Sequence, residues 1–254
     1  MKKKPIKFGT DGWRARIADD FTFENVRLVA QALVEHILAK GTASKGIMVG
    51  YDHRFQSENF ARAAAEVCSG AGIKTLLSDR AVSSPAVSFT VNSMGLACGI
   101  MITASHNPPN WNGFKIKEEF GGSAVPETTR AVESKLQDTL RITPSIKNLQ
   151  FFNPLPAYFA KIKSLIDFDL LKANASKLNI VIDPMFGSGA GCFKALGLKV
   201  KEIRGVRDPL FGGVNPEPLP ANLEESMSFV KEFALEHPGE LTACIVLDGD
   251  ADRV

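Results

Sequence analysis

From residue 22 onward, segments whose apolar side chains recur at helical spacing alternate with short β-rich runs, and this alternation confines the chain to an α/β fold. Val26, Val29, Leu33 and Ile37 predict a first helix, followed by a strand over 47–49, a helix opening near Ser57 and a strand over 73–77. Ser84-Pro85 predicts a further helix, with Ser84 as its N-cap and Pro85 in its first turn, ahead of a strand over 97–102. A helix over 127–140 completes the first half. The second half repeats the scheme: a helix over 158–166, a strand over 178–182 with a glycine-rich turn into a helix, a strand over 198–203, a helix over 223–236 and a strand over 241–247. The expectation is two successive α/β domains, each a mixed β-sheet with packed helices, over 1–145 and 155–254. The linker between them is placed at 146–154, inside the aperiodic, proline-bearing stretch 141–156. Ligands of open α/β sheets bind beyond the carboxyl ends of the strands, and the sequence stops at Val254 just after such an end, which predicts a truncated chain.

Composition narrows the function classes. Lys and Arg number 30 against 28 Asp and Glu, too even a balance to indicate nucleic-acid or membrane-surface binding, and Lys2-Lys3-Lys4 reads as a solvated terminus. No apolar run approaches the roughly 20 residues of a membrane span. Met1 is followed by charge and Pro5 instead of the apolar stretch of a signal peptide, so the expected location is the cytoplasm. Cys68, Cys98, Cys192 and Cys244 are far apart in apolar surroundings and read as small buried hydrophobes in a reducing compartment.

The strongest local motif is Thr103-Ala104-Ser105-His106-Asn107-Pro108-Pro109, directly after a predicted strand. A serine there has its hydroxyl lifted out of the sheet, with the Asn-Pro turn stiffening the backbone around it. The alternative is a polar turn capping a helix. A Ser-His hydrolase pair is disfavoured, because neighbouring residues in extended backbone point to opposite sides and leave His106 poorly placed as a base. Asn112-Gly113 predicts a tight turn that brings Lys115 back toward Ser105, although by composition alone Lys115 reads as a solvated lysine.

Asp248, Asp250 and Asp252 alternate after the apolar run 244–247, and in an extended loop they face one side. Two carboxylates about 4 Å apart repel by about 4 kcal/mol at an effective dielectric of 20, so the cluster calls for a cation. Hard oxygen donors in small number suit Mg²⁺. An EF-hand would need a Gly after the third Asp and a later Glu, and the loop has neither; a solvated turn is the other reading. Phe8-Gly9-Thr10-Asp11-Gly12-Trp13-Arg14 combines a backbone free to approach a ligand with an arginine fork suited to phosphate, or else is a tight turn with a surface arginine. Gly187-Ser188-Gly189-Ala190-Gly191 lacks the dinucleotide-binding spacing and reads as close strand-to-helix packing.

In this order, FGTDGWR at 8–14, VGYDHRF at 49–55, TASHNPPNWNGFKI at 103–116, VIDPMFGSGAG at 181–191 and LDGDADR at 247–253 resemble the α-D-phosphohexomutase superfamily, most closely its bacterial phosphoglucomutase/phosphomannomutase branch. The resemblance implies its first two domains, with the third (sugar-selecting) and fourth (phosphate-clamping) having no counterpart here and this chain alone showing little or no turnover. It implies that Ser105 is the phosphoserine and, with Asp248, Asp250 and Asp252, a ligand of one Mg²⁺. Arg253 would lie close to that phosphate, Lys115 would be a general acid/base, Arg14 an active-site residue, and His106 and Asn107 would help hold the phosphate. The implied activity interconverts hexose 1-phosphate and hexose 6-phosphate, of glucose or mannose, through a bound hexose 1,6-bisphosphate. Two other readings stay open. One is a metal- or partner-binding fragment without chemistry. The other takes Asp248 as the nucleophile of a haloacid-dehalogenase-like phosphatase, although that motif normally opens its domain and only four residues follow Asp250 here.

Overall fold

The computed structural model describes residues 6–9, 11–175 and 177–254; the Lys2–Lys4 run and Thr10 of the first motif lie outside them. In chain order the first part carries β1 (Trp13–Arg16), α1 (Phe23–Ala39), β2 (Ile47–Tyr51), α2 (Ser57–Gly70), β3 (Thr75–Ser78), α3 (Ser84–Ser93), β4 (Cys98–Ile102), β5 (Trp111–Glu118), α4 (Pro126–Glu133) and β6 (Leu149–Phe152). The second part carries α5 (Leu155–Leu165), α6 (Phe168–Ala173), β7 (Leu178–Asp183), α7 (Cys192–Ala195), β8 (Lys201–Glu202), α8 (Glu224–Glu236) and β9 (Leu241–Val246).

The six strands of the first part form a mixed sheet in the order β1-β5-β4-β2-β3-β6, with β1 and β5 antiparallel to their neighbours and the rest parallel. One face is covered by α1 and α2, where Val26, Val29, Leu33 and Ile37 meet Val49, Ile100 and Phe114 in a core with under 3% exposure at each of these positions. The hydroxyl of Thr22 caps α1 by accepting from the Asn25 amide at 3.2 Å. On the other face α3 packs Val87 and Val91 against Met48 and Met101. Its N-cap is Ser83, one residue before the expected Ser84, and Pro85 sits in its first turn.

Three expectations change on folding. The segment assigned to the linker holds β6, parallel to β3, and is tied to α2 by Asn148, whose amide and side chain both bond Ser69. The helix expected to reach 140 ends at Glu133, because Gln31 of α1 captures the following chain: its side chain bonds Thr139 O and the amides of Arg141 and Ile142. The second sheet, β8-β7-β9, is wholly parallel where a mixed one was expected.

The second part is more thinly covered: Val181, Ile182, Met185, Leu196 and Phe211 are buried, while no side chain of α5 is. Cys68 and Cys98 are buried and Cys192 and Cys244 half-buried, all free thiols; burial pushes Cys68 up to about 12 and Cys192 and Cys244 up to about 11. No helix among the described residues is long and apolar enough to cross a membrane.

Candidate active site

The turn 103–110 leaves the carboxyl end of β4 and returns as β5, so Ser105 stands at the top of the first sheet. Its φ is +51°, in the left-handed region, where a non-glycine residue is held only by its surroundings. Thr103 Oγ1 accepts from the Ser105 amide at 2.8 Å and itself donates to Asp52 Oδ2 at 2.6 Å. The backbone is therefore not extended, and His106 lies on the same side as Ser105 instead of opposite it. The Ser105 Oγ to His106 Nδ1 separation of 3.4 Å is nonetheless at the edge of hydrogen bonding, and burial together with the charge of Arg253 lowers the His106 pKa.

Asn112-Gly113 is no turn. Both residues lie inside β5, where Asn112 donates to Ser57 Oγ at 2.9 Å and Gly113 lets the backbone pass so close to Thr103 that a Cβ would meet its carbonyl oxygen at 2.4 Å. Lys115 reaches the site from the strand itself. Its buried Nζ lies 2.9 Å from Asp250 Oδ2, 3.2 Å from Asp11 Oδ2 and 3.3 Å from Asp252 Oδ2. Burial works against its charge, but Asp250, Asp252 and Asp11 together hold its pKa above the ordinary lysine value.

The acidic loop follows β9. The carboxylates of Asp248, Asp250 and Asp252 offer oxygens that lie within 4.8 Å of one another. A tight turn, not an extended run, brings them together: Asp248 Oδ1 accepts the amides of Asp252 at 3.0 Å and Arg253 at 3.1 Å, and Ala251 has a φ of +53°. Gly249 packs against the serine turn so closely that a Cβ would lie 2.5 Å from Ser105 O, and Gly187 packs as tightly under Gly249. The 187–191 glycines thus seat the acidic loop as well as the strand-to-helix connection.

Ser105 Oγ is the point where the two loops meet. It donates to Asp248 Oδ2 at 2.9 Å and accepts from Arg253 Nη2 at 2.6 Å, and the serine is fully buried beneath the Arg253 side chain, itself 42% exposed. Burial, reinforced by the charges of Asp250 and Asp252, pushes the Asp248 carboxyl up to about 7. At Asp250 burial is outweighed by Lys115 and by a hydrogen bond from Ser84, which hold it at about 2. The other oxygen of Asp250, Oδ1, is buried without a hydrogen-bond partner among the described residues. Arg14 on β1 does not touch Ser105; it donates to Asn107 Oδ1 at 2.7 Å and pairs with Asp11.

The nine residues singled out in the sequence thus converge on one place. Missed were Asp52, Arg54, Thr103 and Ser84, which support it from beneath, and Glu217, whose Oε1 lies 3.7 Å from His106 Nε2. A charged pair at the carboxyl end of the apolar strand β2, next to β4, was the available sign for Asp52 and Arg54.

The family model for phosphoglucomutase/phosphomannomutase, alpha/beta/alpha domain I, matches residues 5–141, and that for domain II matches 156–254. The chain belongs to this family. Among its phosphoglucomutase/phosphomannomutase relatives is a "probable phosphoribomutase" of Schizosaccharomyces pombe, 30% identical over 98% of this chain and 46% of its own length. A phosphoglucosamine mutase of Prochlorococcus marinus is 30% identical over 97% of this chain and 53% of its own. A solved structure from Thermus thermophilus, described as a "putative phosphomannomutase", superimposes with a TM-score of 0.88 at 36% identity, covering 99% of this chain and 56% of that one. The chain therefore spans about half the length of the relatives it matches.

Proposed function

We propose that Ser105 carries a phosphoryl group and exchanges it with the hydroxyls of a sugar phosphate, interconverting hexose 1-phosphate and hexose 6-phosphate of glucose or mannose through a bound hexose 1,6-bisphosphate. The observation that carries this reading is the setting of one serine oxygen, bonded at once to Asp248 and Arg253 beside an acidic cluster whose oxygens are close enough to hold a metal ion.

The residues fit Mg²⁺. The carboxylates are hard oxygen donors, and the Oδ1 of buried Asp250 has no hydrogen-bond partner among the described residues. Asp248, Asp250 and Asp252, with an oxygen of the phosphoserine, would hold the ion. Bound there, Mg²⁺ would offset the charge of about −1.5 to −2 that phosphate brings.

The chain's own groups supply the rest. Transfer to sugar forms a sugar O–P bond and breaks the Oγ–P bond; the sugar hydroxyl gives up its proton and Oγ ends as a hydroxyl. Arg253 Nη2, already donating to Oγ, stabilises that oxygen as the bond breaks. Lys115, held protonated by its three carboxylates, serves as a fixed positive charge and a proton donor more readily than as a base. Arg14 secures Asn107, and neutral His106 and Asn107 line the place where the phosphate sits.

Incubation with hexose 1,6-bisphosphate and Mg²⁺ tests the proposal. One phosphate is expected on the peptide containing Ser105, and none in Ser105→Ala. A label that persists in Ser105→Ala and disappears in Asp248→Asn would move the chemistry to the acid.

A further inference from the structure

Arg54, in the loop between β2 and α2, is the largest fully buried side chain among the described residues, and no reaction step uses it. Its Nη1 and Nη2 donate to four backbone carbonyls, three in the serine turn and one at the start of β5. Nη2 donates to Ser105 O at 2.6 Å and Asn107 O at 2.7 Å, and Nη1 to Pro108 O at 2.9 Å and Trp111 O at 3.1 Å. Asp52 compensates the charge at 3.2 Å from Nε. The same carboxylate accepts from Thr103 Oγ1, from Ser57 Oγ at 2.7 Å and from the Arg54 amide at 3.0 Å. Thr103 in turn holds the Ser105 amide. The turn is thus gripped from both sides by one ion pair, and its left-handed serine has the over-determined surroundings that such a conformation needs.

The grip extends to the second part of the chain. The Phe211 ring, fully buried, covers the guanidinium with Arg54 Cζ 5.0 Å from its centre, and His53 donates from Nδ1 to Phe186 O at 2.8 Å. Phe186 precedes Gly187, which packs directly under Gly249 of the acidic loop. Residues 52–54 therefore touch the serine turn directly and, at Phe186, the segment that seats the acidic loop.

We infer that Arg54 is a positioning residue that sets the Ser105 turn in place against the acidic loop, through its carbonyl bonds and the Phe211 ring, for the phosphoryl transfer proposed above. Four carbonyls bonded by two nitrogens use the fork of a guanidinium, whereas a lysine ammonium has three donors at a single point. The function itself rests on the proposed role of Ser105, but the positioning can be measured without it.

The test uses the full chain as wild type, Arg54→Lys and Thr103→Val, with amide hydrogen exchange followed over 103–111, over 246–253 and in α1. Labelling of Ser105 by hexose 1,6-bisphosphate and Mg²⁺ is followed alongside. In Arg54→Lys, exchange over 103–111 is expected to rise at least about tenfold, as loss of one or more charge-assisted bonds implies, with α1 unchanged and labelling at least about tenfold slower. Thr103→Val removes the opposite hold with little change of shape and serves if the lysine variant does not fold; it is expected to loosen the same segment. Turn exchange equal to wild type in the folded variants would overturn the inference. So would a loosened turn with labelling at the wild-type rate. If the wild type takes no label, the proposed function fails, while the exchange comparison still decides whether Arg54 holds the turn.

Discussion

Lys115→Met strands a buried carboxylate, and the structure says which one. Of the three acids that Lys115 meets, Asp11 is 40% exposed and Asp252 27%, so water can take over there and each pair contributes about 0–1 kcal/mol. Asp250 is fully buried, and after the substitution it keeps only the bond from Ser84. Removing one partner of such a pair costs about 3–5 kcal/mol. Taking the lower figure, the thermal midpoint in EDTA should fall by roughly 10 °C, at about 2–4 °C per kcal/mol for a chain of this size. Saturating Mg²⁺ should return most of it, because a ligand at a hundred times its dissociation constant stabilises by about 2.7 kcal/mol. Adding Asp250→Asn to Lys115→Met removes the stranded charge and should lose less stability than Lys115→Met alone. Calorimetric melts of wild type, both single variants and the double, each in EDTA and in Mg²⁺, decide the matter. A Lys115→Met midpoint within roughly 2 °C of wild type in EDTA would refute the reasoning.

The Asp248 carboxyl binds its proton more tightly in the folded chain, at about 7 against an ordinary 3.8, so its stabilisation is complete below about pH 4 and is lost as pH rises through about 7. Mg²⁺ must displace that proton, so affinity should climb with pH and level off above about 7; calorimetry near pH 6 in buffers of different ionisation enthalpy should show close to one proton released, and none would contradict the assignment. Gly249→Ala would place a Cβ against Ser105 O, and Mg²⁺ affinity and Ser105 labelling are each expected to fall at least about tenfold while hydrogen exchange in α1 is unchanged. Arg204→Met leaves buried Asp183, which also accepts from Ser226, without its cation; denaturant midpoints should report a loss of about 3 kcal/mol, partly restored by adding Asp183→Asn.

The order of helices and strands was legible because the buried faces of α1 and of the parallel strands are apolar at the matching period. The edges were not. Strand β1 alternates in sequence and burial but spans only the four residues Trp13–Arg16, too few to stand out, and β6 lies among prolines without alternation. Asn112-Gly113 misled for a related reason: a hairpin turn and a close backbone crossing both ask for glycine, and only Thr103, contributed by another strand, tells them apart. The acids and the serine could be named in advance because unusual residue types cluster in short motifs, whereas Lys115 read as a solvated lysine until the family resemblance pointed to it. For Arg54 the only sign was its place at the end of β2, since its value lies in four carbonyls, which every sequence possesses.

The two halves of the chain meet through the candidate site as well as through α5, whose Tyr158 packs against Phe89 of α3. Ser84 holds Asp250, Lys115 holds Asp250 and Asp252, Ser105 holds Asp248, and Phe211 covers Arg54. Occupancy of the site and cohesion of the halves would then be coupled, and linkage makes the effect reciprocal: whatever factor an ion or phosphate gains from the joined halves, it returns to their joining. Chelating an ion held there, or removing a phosphate from Ser105, would weaken the seam between the halves.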